Sequence, residues 1–380
     1  MAQVDPTHGG LVWKNEDTRD VNAEYDPVPS SLSFEEKLRT CLSVAEECIQ
    51  PEELGTLLQT KTHPVCYDGF EPSGRMHIAQ GILKSINVNK LTSCGCIFVF
   101  WVADWFALLN NKMGGDLAKI QTVGKYMVEI WRAAGMDMRN VKFLWASEEI
   151  NKRPNEYWLR VMDIARKNNI KRITRCSQIM GRAESDEMAS AQILYPCMQC
   201  ADIFFLEADI CQLGMDQRKV NVLAREYCDL VGREKKPVVL SHPMMMGLKQ
   251  GQEKMSKSDV GSAIFMEDSE EEVNSKIKKA YCLPSDILNN PVLSYTKHII
   301  FNRNGQLLIE RTPENGGNKL YTSYEELEKD FAENNLHPAD LKPAVAKALN
   351  QMLAPVRAHF ENDAYARSLL EQVRSFRVTR

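Results

Sequence analysis

Tyr67-Asp68-Gly69-Phe70-Glu71-Pro72-Ser73-Gly74-Arg75-Met76-His77-Ile78-Ala79-Gln80 joins a short apolar run, Val65 to Tyr67, to a helical pattern, Met76 to Leu91. A strand that ends in a glycine turn and runs into a helix lets backbone approach a phosphate. Gly74 supplies the clearance, and the helix start supplies unpaired N–H donors and the positive end of a dipole. His77 is expected in the first turn of that helix. On its own the junction is a weak signal, since any tight strand-to-helix turn has this look and a histidine there often serves structure alone.

Outward from the junction the pattern repeats. Short apolar runs at Ile97 to Val102, Val141 to Trp145, Ala208 to Gln212 and Pro237 to Leu240 alternate with helical stretches at Asp116 to Ala134, Asn155 to Lys167, Asp186 to Phe204 and Arg218 to Leu230. Strands separated by helices predict a parallel sheet with crossovers, an α/β Rossmann-like domain whose ligands sit at the carboxyl ends of the strands. Ahead of it, Ser33-Phe34-Glu35-Glu36 has the spacing of a capping box, and Leu38, Leu42, Ala45 and Cys48 predict a helix continuing one apolar stripe. Residues 1–30 are polar, contain Pro6, Pro27 and Pro29, and are expected to form a flexible arm. After Ile264 the pattern becomes mainly helical, at Glu271 to Tyr281, Ser323 to Asn334 and Pro338 to Leu353, with one apolar run at Leu307 to Glu310. The expected division is an arm at 1–30, a catalytic domain at 31–264 and a smaller, mainly α-helical C-terminal domain at 265–380.

Composition bounds the function. The chain has 380 residues, 44% apolar and 26% charged, which suits an ordered globular protein of roughly two to three domains. Its 47 basic and 51 acidic residues leave a net charge of -4, so no overall positive field holds nucleic acid non-specifically. DNA is therefore not an expected partner, and any RNA contact must be local. Basic clusters at Lys171-Arg172 with Arg175, at Arg233 to Lys236 and at Lys276 to Lys279 read, singly, as solvated faces. Cys94-x-Cys96 and Cys197-x-x-Cys200 have no second pair at metal spacing, so the 11 cysteines read as core thiols in a reducing compartment and no metal site is expected. The first thirty residues carry six acids and no apolar run, unlike a signal peptide, and Cys96 to Ala103 is too short to span a membrane. Cytoplasm is the expected location.

Two further motifs carry chemistry. Lys254-Met255-Ser256-Lys257-Ser258, preceded by Gly247 and Gly251, lies in a polar loop after the last strand. Two lysines three residues apart on such a loop can close over a triphosphate, with Ser256 and Ser258 as neutral donors. Tyr195-Pro196-Cys197-Met198-Gln199-Cys200-Ala201-Asp202 puts Tyr195, Gln199 and Asp202 at i, i+4 and i+7 on one helix face, among apolar neighbours. Buried polar groups need partners. Gly214-Met215-Asp216-Gln217-Arg218-Lys219 follows the next strand.

The glycine-histidine junction and the lysine-serine loop, in this order, resemble the two signature motifs of class I aminoacyl-tRNA synthetases. The Tyr67-Asp68-Gly69, Tyr195-to-Asp202 and Gly214-to-Lys219 segments are similar to the tyrosine-binding motifs of archaeal and eukaryotic tyrosyl-tRNA synthetases, over about Val65 to Phe360. The resemblance implies an ATP-dependent ligase that activates tyrosine and loads it onto tRNA(Tyr), with magnesium accompanying the ATP, and a homodimer. It implies His77, Lys254 and Lys257 as catalytic residues. It implies Tyr67, Tyr195, Gln199, Asp202 and Gln217 as the tyrosine pocket, where the phenol donates to Asp202 and accepts from Tyr67. For ATP it implies Ser73, Gly74, His77, Asp216, Lys254, Met255, Ser256, Lys257 and Ser258. In His337-Pro338-Ala339-Asp340-Leu341-Lys342, Asp340 occupies the position that reads the anticodon, although the residues alone indicate only a helix start. Three positions depart from the family pattern: Ala79 and Gln80 stand where the first motif has Gly and His, and Asn315 stands where relatives carry an aromatic that stacks on an anticodon base. The competing readings are a tryptophanyl-tRNA synthetase, a catalytically silent RNA-binding relative, and a nucleotidyltransferase for small molecules.

Overall fold

In the computed structural model, which describes residues 19–176, 189–252, 255 and 259–376, the chain alternates strands and helices as far as residue 241 and is mainly helical beyond it. Backbone alone is described for Val260 and for an N-terminal antiparallel pair, β1 (Gln3–Val4) and β2 (Leu11–Val12). α1 (Phe34–Leu42) begins with the expected box: Ser33 accepts from Glu36 N and the Glu36 carboxylate accepts from Ser33 N, which stabilises the helix by about 1 kcal/mol. The apolar stripe does not continue as helix. After Leu42 the chain turns, and Cys48 lies in a strand, β3 (Glu47–Ile49), because an open sheet edge there offers backbone partners.

Next come α2 (Pro51–Thr60), β4 (Val65–Phe70), α3 (Lys84–Ser93), β5 (Ile97–Val102), α4 (Asp104–Leu109), α5 (Leu117–Ala133), β6 (Val141–Trp145), α6 (Ala146–Lys152), α7 (Pro154–Lys167) and α8 (Ile170–Thr174). α9 (Ala191–Phe205), β7 (Ile210–Cys211), α10 (Arg218–Leu230) and β8 (Val238–Ser241) complete the α/β part. The predicted start of α9 at Asp186 lies outside the described residues.

The sheet order is β3-β8-β7-β4-β5-β6, parallel except for β3 at one edge. Five of the six β5 residues are buried, as in a strand covered on both faces. Phe100 of β5 stacks on Trp131 of α5 and Phe143 of β6, with ring centroids 4.4 Å and 5.2 Å apart. Chain order proceeds β4, β5, β6 to one side and then returns to β7 on the other side of β4. The crevice between the carboxyl ends of β4 and β7 is therefore the switch point where such sheets bind ligands.

α11 (Glu270–Lys279), α12 (Pro291–Tyr295), α13 (Asn302–Asn304), the hairpin β9 (Leu307–Ile309) with β10 (Lys319–Tyr321), α14 (Tyr324–Ala332), α15 (Pro338–Asn362) and α16 (Ala364–Ser375) form the C-terminal part. α15 runs nine residues past the predicted Leu353 and tolerates Pro343 and Pro355 inside it. One apolar cluster runs without a break from Cys41 and Phe98 to Leu349 and Val373, so the C-terminal helices share the core under one face of the sheet. Residues 19–30, expected in the flexible arm, are laid against the sheet: the Asn22 side chain exchanges hydrogen bonds with the Phe143 backbone (2.9 Å and 2.8 Å), filling the open edge of β6. All 11 cysteines are free thiols, nine of them buried.

Candidate functional site

The floor of the crevice is a second apolar cluster, made by Tyr67 of β4, Trp101 of β5, Tyr157 of α7 and the buried face of α9. α9 is apolar around most of its circumference, so Asp202 is carried into the interior and is 1% exposed. Tyr157 Oη donates to Asp202 Oδ1 at 2.8 Å and also lies 3.3 Å from Met198 O. The Trp101 indole N–H faces the same carboxyl without closing a hydrogen bond. Among the described residues no cation pairs with Asp202. Burial pushes its pKa well above the usual carboxylate range, and burial followed by the Asp202 charge lifts the phenols of Tyr67 and Tyr157. A buried carboxyl with one donor and no counter-ion is built to meet a polar hydrogen from outside.

Two helical turns before Asp202 on α9, Tyr195 Oη donates to Glu71 Oε1 (2.6 Å) and Asn110 Nδ2 donates to both Glu71 oxygens (3.0 Å and 3.1 Å). Gln199 Nε2 donates to Gln217 Oε1 at 3.0 Å. The structure thus brings Tyr67, Tyr195, Gln199, Asp202 and Gln217 to one crevice. It adds Glu71, Tyr157 and Trp101, which the sequence reading did not single out. Glu71 was within reach, as the first acidic side chain beyond the central strand. Tyr157 was also within reach: with Val161 and Ile164 it forms the buried face of α7, and a buried tyrosine hydroxyl needs a partner.

Across the switch point, Met215–Gln217 forms a single 3₁₀ turn after Gly214. A side chain at Gly214 would stand 2.7 Å from Asp216 Oδ1 and 3.0 Å from Met244 Sδ, so glycine is what lets Asp216 fold over the turn. Beneath lies a buried polar chain. Asp68 pairs with Lys84, Lys84 Nζ donates to Gln212 O and Oε1 (3.1 Å and 2.8 Å), and the Gln212 amide is 3.1 Å from His242 Nδ1. Burial lifts the Asp68 carboxyl to about 6 despite the Lys84 ammonium. Burial, then the Lys84 charge, pushes His242 well below the usual imidazole range, so its ring stays neutral and Nδ1 can accept.

On the phosphate side Gly74 has φ +122°, a conformation closed to most side chains, which carries the chain away from β4. His77 is not in the first turn of the helix. It stands one step before it, bridged to Phe265, while its carbonyl accepts Gln80 N and Gly81 N (2.9 Å and 3.0 Å). The helical start Ala79–Leu83 is a π-turn before α3. Ser73 is half-buried in the stretch between β4 and Gly74. Met255 is buried, with its N–H donating to Met245 O at 3.2 Å. Lys254, Ser256, Lys257 and Ser258 lie outside the described residues, as do most of the arm residues 1–18. Asp340 is half-buried in the first turn of α15, capped by His337, whose Nδ1 accepts from Ala339 N at 3.1 Å. Asn315 is exposed at the end of a 3₁₀ turn before Gly316.

Comparison with known proteins gives the same direction. Residues 59–354 match the model of the family described as tRNA synthetases class I (W and Y). The chain is 62% identical over 359 residues to tyrosine–tRNA ligase 1, cytoplasmic, of Arabidopsis thaliana, covering 94% of this chain and 93% of that protein. Among solved structures, a Leishmania major tyrosyl-tRNA synthetase in complex with tyrosinol superposes with a TM-score of 0.86 at 53% identity; the match covers 91% of this chain but only 53% of that one, so this chain spans about half its length. A Pyrococcus horikoshii tyrosyl-tRNA synthetase complexed with L-tyrosine superposes with a TM-score of 0.84 at 34% identity, covering 90% of this chain and 100% of that one.

Proposed function

The chain belongs to the class I tRNA synthetases of the tryptophan and tyrosine family, and within it to the tyrosine–tRNA ligases, and from that premise we propose how its residues divide the work of activating tyrosine and charging tRNA(Tyr). The observation that carries the assignment is Asp202, a buried carboxyl at the pocket floor beside Tyr67 with Tyr157 as its donor. Tyrosine enters phenol first. Its hydroxyl donates to Asp202 and accepts from Tyr67, while its ammonium faces Tyr195, Gln199 and Gln217, with the Glu71 carboxylate adding negative charge at that end.

The tyrosine carboxylate oxygen attacks the α-phosphorus of ATP, a phosphorus–oxygen bond forms, and the bond to pyrophosphate breaks. The nucleophile is already ionised, so no base is required. Catalysis consists of placing the reactants and stabilising charge on the phosphates, the task we give to His77, Lys254 and Lys257. Ser73, Gly74, Met255, Ser256 and Ser258 contact the nucleotide, and Asp216 accepts from its ribose. The tRNA 3′ hydroxyl then takes the tyrosyl group from the adenylate and AMP leaves, with Asp340 reading the anticodon.

Magnesium is proposed as part of the nucleotide substrate, where it would neutralise phosphate charge. Among the described residues no three His, Cys, Asp or Glu side chains gather to hold a metal. A homodimer is proposed through α7 and α8, where the large apolar side chains of Leu159, Met162 and Ile170 are 63%, 56% and 72% exposed. The Arabidopsis relative is named cytoplasmic, and this chain is assigned to the same compartment; no helix among the described residues is long and apolar enough to cross a membrane.

The test is charging of unfractionated tRNA with labelled amino acids. Acid-precipitable label from tyrosine, and none from tryptophan, is expected. Binding of tRNA with no charging would replace the proposal with a catalytically silent RNA-binding role.

A further inference from the structure

The segment that follows the signature loop, 263–268, is held from three sides. Its backbone pairs with the first motif: Ile78 N donates to Ile264 O (2.8 Å) and Met266 N to Met76 O (2.9 Å), with His77 opposite Phe265 between them. A side chain at Gly81 would stand 2.1 Å from Met266 Sδ, so the two pieces are packed without slack. From the second side Arg75 spans two buried acids. Its Nε donates to Glu267 Oε1 (2.5 Å), its Nη2 to Asp268 Oδ1 (3.0 Å), and its guanidinium lies 4.2 Å over the Phe265 ring. Tyr126 Oη donates to Glu267 Oε2 (2.9 Å) and accepts from Met76 N (3.3 Å). The third side belongs to the C-terminal helices, where Arg357 of α15 donates to Asp268 O (3.1 Å) and Arg374 of α16 to Glu267 O (3.3 Å).

His77 therefore sits between two backbone hydrogen bonds whose acceptor and donor positions are set by this segment. The segment in turn is set by Lys276, whose Nζ pairs with Asp268 Oδ2 (2.5 Å), and by three arginines, two of them on helices that belong to the tRNA-binding part. Charge-assisted hydrogen bonds, from Arg75 to two buried carboxylates and from Arg357 and Arg374 to backbone carbonyls, are shorter and stronger than neutral ones and restrict the segment to one geometry. A displacement of about 1 Å in a group that positions reacting atoms can lower a rate about 100-fold. On these grounds we propose that Arg75, Arg357 and Arg374 are positioning residues for His77, through which the docking of the C-terminal helices is carried into the adenylation step. The inference rests on the tyrosine-activating reading of the site.

The experiment is tyrosine-dependent ATP–pyrophosphate exchange, with kcat and the KM for tyrosine measured separately, on the full chain and its Arg75→Ala, Arg75→Lys, Arg357→Ala and Arg357→Ala/Arg374→Ala variants. Expected is a fall in kcat of about tenfold or more for Arg75→Ala, partial recovery in Arg75→Lys, and a smaller fall for the C-terminal variants. The KM for tyrosine should stay within about twofold throughout, because the phenol pocket is built in the second apolar cluster, apart from the one that holds Met76, Ile78, Ile264 and Met266. A purely structural tie would lower the melting temperature and the number of titratable active sites, and would leave kcat per titrated site unchanged. If Arg75→Ala does not fold, the C-terminal variants, which leave the first motif intact, carry the decision. Unchanged kcat in variants of an active wild type overturns the inference alone, whereas a wild type without exchange overturns the reading of the site as well.

Discussion

Tyr157→Phe removes one oxygen from the structure and nothing else. That oxygen is the donor to Asp202 Oδ1 at 2.8 Å, so the substitution strips a buried carboxyl of its one protein hydrogen bond of normal geometry among the described residues. The loss of such a bond costs about 1–3 kcal/mol, more when the acceptor is ionised. At about 1.4 kcal/mol per tenfold, kcat/KM for tyrosine should fall by about 5- to 150-fold. The direction follows from the chemistry of the site. The Tyr157 bond lowers the Asp202 pKa against the larger effect of burial, so without it the carboxyl holds its proton more tightly and accepts a phenol hydrogen less well. The ring volume is kept, so the melting temperature should drop by only a few degrees. Steady-state pyrophosphate exchange with varied tyrosine, and separately with varied ATP, reads the effect: the tyrosine term should move and the KM for ATP should not. Unchanged kcat/KM for tyrosine in a folded Tyr157→Phe protein would refute the view that Asp202 is tuned for the phenol by its neighbour.

The remaining predictions concern other parts of the site. Glu71→Gln keeps the shape of the acid but removes the charge proposed to face the ammonium, and the Kd for tyrosine should rise about tenfold while that for ATP is unaffected, measured by isothermal titration with each ligand. Lys84→Met leaves Asp68 buried without its cation and should destabilise the fold by about 3–5 kcal/mol, whereas the double variant with Asp68→Asn should recover a large part of the loss in urea unfolding. The Asp68 carboxyl is lifted to about 6, above its unfolded value, so its stabilising contribution is complete below about pH 4 and is lost as pH rises through 6; unfolding free energies measured across that window should decline less steeply in Asp68→Asn. Asn315→Phe supplies a stacking ring at an exposed turn, and at about 1–3 kcal/mol per stacked base the KM for tRNA in the charging assay should fall by at least about fivefold.

The α/β core was legible because its strands are apolar runs separated by amphipathic helices, a pattern that survives any detail of packing. α10 spans the predicted Arg218 to Leu230 without a shift, and the capping box at Ser33 and Glu36 forms as its spacing requires. What failed was decided by partners distant in sequence. Cys48 continues a helical stripe on paper, yet it joins β3 because Leu240 of β8 waits for it. His77 leaves the helix start because residues 264–266, nearly two hundred positions later, pair with Met76 to Ile78. Asn22 reads as part of a polar arm, and only the open edge of β6 gives its amide a use. In the site the same division holds. Gln199 and Asp202 stood out because polar residues on a buried helix face need an explanation, while Glu71, marked in the sequence only by its place just beyond β4, takes its role from Tyr195 and Asn110, which converge on it.

The selection of tyrosine by the buried Asp202 carboxyl is read by amino-acid-dependent ATP–pyrophosphate exchange with tyrosine, tryptophan and phenylalanine in turn, on the chain and on its Asp202→Ala variant. Exchange with tyrosine alone is expected, with phenylalanine disfavoured by about 10⁵-fold, the discrimination for which tyrosyl-tRNA synthetase is the known example. In the variant, tyrosine exchange should collapse toward the level of phenylalanine. Exchange supported by tryptophan, or tyrosine exchange that survives the loss of Asp202, would contradict the account.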